Sequence, residues 1–98
     1  MYCYKKLKEA HIYAEYEQHR YTLLPSFKFA DKTIRAITYL PDFVGKDFVI
    51  ECKGYANESF PLREKLFKFY LTKKMPNTKY FLVKTQKQID VMIDQLKN

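Results

Sequence analysis

The sequence predicts an α/β domain of the α+β kind, with elements in the order α-β-β-β-α-β-α. Three observations point to it. From Tyr16 to Lys53 aromatic and β-branched residues accumulate in runs broken by turn signals, as strands do. Before and after that block, apolar residues recur three and four apart, as on the buried face of a helix. Finally, 98 residues that are 47% hydrophobic and 30% charged, with two Gly and four Pro, have the balance of one globular core.

Taken in order, Tyr4 to Tyr13 lacks Gly and Pro and spaces Leu7, Ala10 and Ala14 as a short first helix would. Tyr16 to Phe29 reads as a long strand, bent or placed at an edge by Pro25, which has no ladder donor. Asp31-Lys32 reads as a turn. Thr33 to Phe43 and Phe48 to Lys53 are further strands, joined as a hairpin through Val44-Gly45-Lys46-Asp47. After a polar connection from Gly54 to Ser59, a helix is predicted over Phe60 to Lys74. Pro61 sits in its first turn, where a missing N–H costs little, and Leu62, Leu66, Phe69 and Tyr70 form the expected apolar stripe. Tyr80 to Val83 is a short buried strand. Thr85 and Gln88 then form a capping-box pattern that starts a last helix carrying Ile89, Met92, Ile93 and Leu96. No linker, repeat or low-complexity tract interrupts residues 1–98, so a single domain is expected.

Charge narrows the function. Eighteen Lys and Arg against eleven Asp and Glu give +7, and residues 61–98 hold nine basic groups and three acidic ones. A basic surface concentrates polyanions, which makes nucleic acid or an anionic membrane the default partner class. The longest uncharged stretch, Tyr21 to Phe27, is seven residues, far short of the roughly 20 a membrane span needs, so no membrane partner is expected. The N-terminal residues lack the apolar core of a secretory signal, and two cysteines make at most one bridge; both point to a reducing, intracellular setting.

The chemistry gathers in the central hairpin, where Asp42, Glu51 and Lys53 interrupt otherwise apolar strands. Side chains alternate along a strand, so Glu51 and Lys53 share one face while Ile50 and Cys52 take the other. With an even loop, either Gly45-Lys46 or Val44 to Asp47, Asp42 lies opposite Val49, diagonal to Glu51 and on its face. Such neighbours are about 7 to 8 Å apart, close enough for one cation bridged by two carboxylates. An odd loop would separate them. Hard oxygen ligands suit Mg²⁺ or Mn²⁺, which keep several waters and accept substrate phosphate oxygens; Lys53 can orient a water or neutralise charge on phosphorus. The Cys52 carbonyl is a candidate extra ligand, and its thiol should point inward as a small hydrophobe.

Pro-Asp…Glu-x-Lys on a hairpin resembles the PD-(D/E)xK nuclease superfamily. More narrowly, Tyr21-Thr-Leu-Leu-Pro-Ser-Phe27, Arg35-Ala-Ile-Thr-Tyr39, Pro41-Asp-Phe43, Val49-Ile-Glu-Cys-Lys-Gly54 and Lys65-Leu-Phe67 look like a phage-encoded branch of it, a likeness spanning roughly Leu7 to Phe69. The resemblance implies a restriction-endonuclease-like αβββαβ core, with a mixed central sheet flanked by helices, plus a C-terminal helix. It also implies Mg²⁺-dependent DNA cleavage in a phage or bacterial host cytoplasm, with phage Holliday-junction resolvases as functional relatives. Asp42 and Glu51 would hold the metal and Lys53 would be catalytic. Members of this branch carry a longer first helix with a further acid, whereas this helix looks shortened. Glu9 is the nearest helical stand-in for that third acid, and Glu15 or Glu17 could reach the site from the first strand; a homodimer in which each chain completes its partner's site is also consistent.

Lys65, Lys68, Lys73, Lys74 and Arg63 are candidate DNA contacts, although a Lys-rich helix face is also ordinary solubilising surface. Tyr55, just after Lys53, is the aromatic placed to stack on a base. His11 and His19 have no partner at metal or triad spacing, and no Gly-rich phosphate loop, zinc-type Cys pair or Ser nucleophile motif occurs. The competing reading is a non-catalytic nucleic-acid-binding domain that keeps the fold without its full set of acids; a third is a protein-interaction domain with an aromatic surface.

Overall fold

The computed structural model describes residues 2–53 and 60–97. Its elements are α1 (Tyr2–Glu9), β1 (Glu15–Tyr16), β2 (Tyr21–Leu24), β3 (Phe27–Phe29), β4 (Lys32–Ile34), β5 (Ile37–Tyr39), β6 (Phe43–Val44), β7 (Phe48–Cys52), α2 (Phe60–Lys74), β8 (Lys79–Val83) and α3 (Gln86–Lys97). The fold is α+β, with a mixed central sheet ordered β1-β6-β7-β8; β7 is antiparallel to β6 and parallel to β8. The parallel pair requires a crossover, and α2 supplies it. Among the described residues no helix is long and apolar enough to cross a membrane.

The sheet divides two cores. Phe43, Phe48, Ile50 and Val83 pack with Cys3 and Leu7 of α1 and Ile89, Met92 and Ile93 of α3. Val44 and Val49, alternate residues of the same strands, pack instead with Tyr39 and with Phe67 and Leu71 of α2. This alternation lets β7 be buried on both sides, so that its residues Phe48 to Glu51 are all buried. Phe67, fully buried, is surrounded by the rings of Tyr21, Tyr39, Tyr70 and Tyr80, with centroids 4.7 to 6.2 Å away. Such pairs add about 0.5–1.5 kcal/mol each beyond area burial, so this cluster fastens α2 to the sheet above the cleft.

The two long strands expected over Tyr16 to Phe29 and Thr33 to Phe43 are broken. Each consists of three short pieces, which pair successively as β1 with β6, β2 with β5, and β3 with β4, making one interrupted ribbon. Pro25 lies at the break between β2 and β3, as its missing donor predicts. The ribbon turns at Ala30-Asp31 rather than Asp31-Lys32. Lys32 is needed in the ladder opposite Phe29, and Ala30 takes the left-handed backbone at φ 56°.

The first helix ends at Glu9, short of Tyr13. His11 adopts φ 58°, while its N–H donates to the Lys8 carbonyl at 3.0 Å and that of Ile12 to the Leu7 carbonyl at 2.9 Å. This is a Schellman cap, with His in the position Gly usually takes. In α2 the stripe is rotated: Leu62 and Phe69 are 57% and 62% exposed, and Phe67 and Leu71 face inward. In α3, Thr85 Oγ1 accepts the Gln88 N–H at 3.1 Å, and Gln88 Oε1 accepts the Lys84 N–H at 2.7 Å, so the expected cap forms.

Candidate active site

Pro41, fully buried, closes β5 and leads the chain into the central sheet, which puts Asp42 one residue before β6. The β6–β7 register pairs Phe43 with Ile50 and Val44 with Val49. Continued outward by one position, it sets Asp42 across from Glu51, not Val49. The reason is the turn. Gly45 N–H donates to the Phe48 carbonyl at 2.9 Å, leaving Lys46-Asp47 as a two-residue loop. The loop is even, so the two acids share a side, and they stand one rung closer than a loop at Gly45-Lys46 would place them.

Glu51 is 8% exposed, the one buried charged residue among the described residues. Tyr39 OH donates a hydrogen bond to its Oε1. Burial pushes the Glu51 carboxyl up to about 7; the hydrogen bond from Tyr39 opposes this, Asp42 adds to it, Lys53 opposes it and Glu64 adds to it. Asp42 Oδ2 accepts the Cys52 N–H at 2.7 Å. Its carboxyl is also raised, chiefly by burial and further by Glu17, against the Cys52 N–H and Lys53. Lys53 therefore acts electrostatically on both acids, and its Nζ lies 4.0 Å from the centroid of the Phe60 ring at the start of α2.

Glu51 and Lys53 open onto a cleft of about 290 Å³, lined also by Tyr39, Thr38, Leu40, Phe60, Arg20 and Arg63, while Asp42 sits outside that lining. Thr38 anchors both arginines: its hydroxyl accepts from Arg20 Nη1 at 3.1 Å and its carbonyl from Arg63 Nε at 3.2 Å. Lys53, Arg20 and Arg63 bring cations to the cleft, and Glu51 brings a carboxylate.

Of the third-acid candidates, Glu9 does not join this site. Its carboxylate lies 3.8 Å from Lys6 on a groove between α1 and α3, because the helix turns that face toward Asp90 and Asp94. Glu15 bonds His19 at 2.8 Å. Glu17 is the acid brought to Asp42: its N–H donates to the Asp42 carbonyl at 2.9 Å and its charge bears on the Asp42 carboxyl. Cys52 meets the site through its amide, and its thiol hydrogen-bonds with Cys3 on the far face, which with burial pushes it up, so it is no nucleophile. Arg63 reaches the cleft, whereas Lys65, Lys68, Lys73 and Lys74 are exposed on α2; Lys68 is 3.9 Å from Glu64. Tyr55 lies outside the described residues.

Reading the sequence alone missed Tyr39, Arg20, Thr38 and Glu64. Tyr80 OH donates to Glu64 Oε2 at 2.9 Å, tying α2 to β8 beside Glu51. Only the pairing of β2 with β5, where Tyr21 faces Tyr39, brings Arg20 and Thr38 together, and no local spacing encodes that.

The donor set fits a water-rich hard cation. Among the described residues no group of three or more His, Cys, Asp or Glu side chains is placed to hold an ion. Two facing carboxylates, one buried and costly to ionise alone, match Mg²⁺ or Mn²⁺, which take one or two carboxylates and fill the remainder with water and phosphate oxygens.

Fold and site thus define an α+β domain in which Glu51 lines a basic cleft and Asp42 stands across the hairpin from it. The chain belongs to the DUF1064 family, described as proteins of unknown function, whose model matches residues 2–91. Comparisons with curated proteins and with solved structures give no match.

Proposed function

We propose that this protein is a metal-dependent endodeoxyribonuclease of the PD-(D/E)xK type. The observation that carries the reading is the register that brings Asp42 across from Glu51, with Glu51 and Lys53 lining a cleft that Arg20 and Arg63 also line. A divalent cation held by the two carboxylates, with the Cys52 carbonyl as a supplementary ligand, would polarise a phosphodiester oxygen and make a water more acidic. Lys53, steadied over Phe60, neutralises charge developing on phosphorus or orients the attacking water. Arg20 and Arg63 hold flanking phosphates, and the exposed lysines of α2 supply the longer-range field that gathers DNA. Branched or recombination structures are the candidate substrates. Cutting two strands at a branch takes two such sites, so the working assembly is a homodimer, acting in the cytoplasm of a phage-infected or bacterial host.

The test is cleavage of supercoiled plasmid and of a four-way junction with Mg²⁺ or Mn²⁺. Nicking by the parent, abolished by EDTA and by Glu51→Gln or Asp42→Asn, is expected; variants that cut like the parent refute catalysis here.

A non-catalytic nucleic-acid-binding domain is the second reading, favoured by the lack of a three-acid group among the described residues. It predicts binding that survives chelation. With about five phosphates neutralised, log affinity for duplex should fall against log salt with a slope near −4 or −5.

A further inference from the structure

Among the described residues the far end of the ribbon stands apart: every residue of β3 and β4 is exposed, the pair forms a sheet of two strands, and no other described element packs substantially against it. Two-stranded hairpins are marginal in water on their own, and this one also displays aromatics. The register Phe27 to Ile34 and Phe29 to Lys32 puts Phe27, Phe29, Ile34 and Lys32 on one face. Phe29 is 72% exposed, Phe27 44% and Ile34 38%.

Charge decides what covers this face. Lys32 lies on this face and Lys28 on the opposite one, and with Arg35 against Asp31 they leave the arm from Phe27 to Arg35 at +2. Two copies stacked face to face would set one basic arm against another, whereas an unpaired nucleic-acid strand offers phosphates for the cations and flat bases for the rings. The arm is continuous with the cleft, because β5 supplies Thr38 and Tyr39 to its lining. Lys32 and Thr38 are six positions apart, at most about 20 Å of strand, a span that a few unpaired nucleotides cover.

We propose that the β3–β4 hairpin is a nucleic-acid-binding arm whose Phe27–Phe29 face stacks on unpaired bases of a strand leaving the cleft. It deepens the nuclease reading by naming a substrate class, DNA with an unpaired segment beside the cut, and it rests on that reading for the cut alone.

The test separates the two. Anisotropy of a fluorescein-labelled 20-nucleotide single strand and of the corresponding duplex is titrated with the full chain in EDTA, where no cleavage interferes. Phe27→Ala/Phe29→Ala should weaken single-strand binding by about 30-fold or more, at roughly 1–3 kcal/mol for each of two stacked bases, and duplex binding by less than about threefold. Phe29→Leu, which keeps apolar bulk and loses the ring, should also weaken single-strand binding, while Phe29→Tyr should bind within about twofold of the parent. Lys28→Glu/Lys32→Glu should weaken both ligands and lower the salt slope by about two. Parental single-strand affinity in the double Phe variant, or in Phe29→Leu, overturns the arm. So does sedimentation showing a DNA-free dimer that the double Phe variant dissociates, since the face would then serve a second copy. Plasmid nicking by the parent is scored independently: arm binding without nicking defeats the nuclease reading, and nicking without arm binding defeats the arm.

Discussion

Tyr39, at the end of β5, donates its hydroxyl proton in a hydrogen bond to Glu51 in the middle of the central sheet, so one contact ties the ribbon to the floor of the cleft. The tie is directional. It favours the ionised carboxylate, while burial of Glu51 opposes that form. The site therefore holds an acid that is poorly solvated until a cation or a proton neutralises it.

A pH dependence of stability follows. The Glu51 carboxyl is raised from 4.5 to about 7 in the folded protein, so the fold binds more protons than the unfolded chain between those values. In EDTA, stability is highest below about pH 4.5 as far as this group is concerned, and roughly 3 kcal/mol of it is lost as pH rises to about 7. Asp42, also raised, acts in the same direction. Urea melts from pH 5 to 8 should show the decline in the parent and a flatter profile in Glu51→Gln. Mg²⁺ should raise the thermal midpoint more at pH 8 than at pH 6. Equal declines in parent and variant would exclude Glu51 as the source.

Tyr39→Phe removes the donor but keeps the ring packed on Phe67. It should cost about 1–3 kcal/mol, the penalty for stranding a buried acceptor, and move the Glu51 carboxyl further up. The acid limb of the nicking rate should shift to higher pH with the plateau nearly intact. An unchanged limb would mean the hydroxyl does not tune Glu51.

Lys53→Met separates catalysis from ion binding. Losing a charge that acts on the transition state should lower the nicking rate on the order of 10²–10³-fold. Calorimetric Mn²⁺ affinity, set by the carboxylates, should stay within about threefold. If nicking and Mn²⁺ binding vanish together, Lys53 holds the site's shape instead.

Gly45→Ala tests the register at a distance from the chemistry. A Cβ there would lie 2.1 Å from the buried ring of Phe48, so the core must shift. The expected loss is about 1–3 kcal/mol by urea titration. Parental stability would show that the hairpin closes differently and that Asp42 does not face Glu51.

Much of this geometry was legible in the residue order. The period of two put Glu51 and Lys53 on one face without any fold, and both line the cleft. Pro61, Thr85 and Gln88 marked their helix starts because capping is local chemistry. The rotated stripe of α2 was not legible, since Leu62, Leu66, Phe67, Phe69, Tyr70 and Leu71 place apolar groups on several sides of one helix. Glu17 was a candidate from the first strand, but which of Glu9, Glu15 and Glu17 comes nearest Asp42 was not legible, because it depends on the chain doubling back so that β1 pairs with β6 beside Asp42. Tyr39 escaped for the same reason: its partner is fixed by long-range strand pairing.

The most direct measurement is anomalous diffraction from crystals soaked in Mn²⁺ at pH 8. The account predicts one peak between the carboxylates of Asp42 and Glu51, on the Lys53 side of the sheet, and none in Glu51→Gln crystals treated alike. A parent crystal with its Mn²⁺ elsewhere, or with the two carboxylates turned to opposite faces, would contradict it.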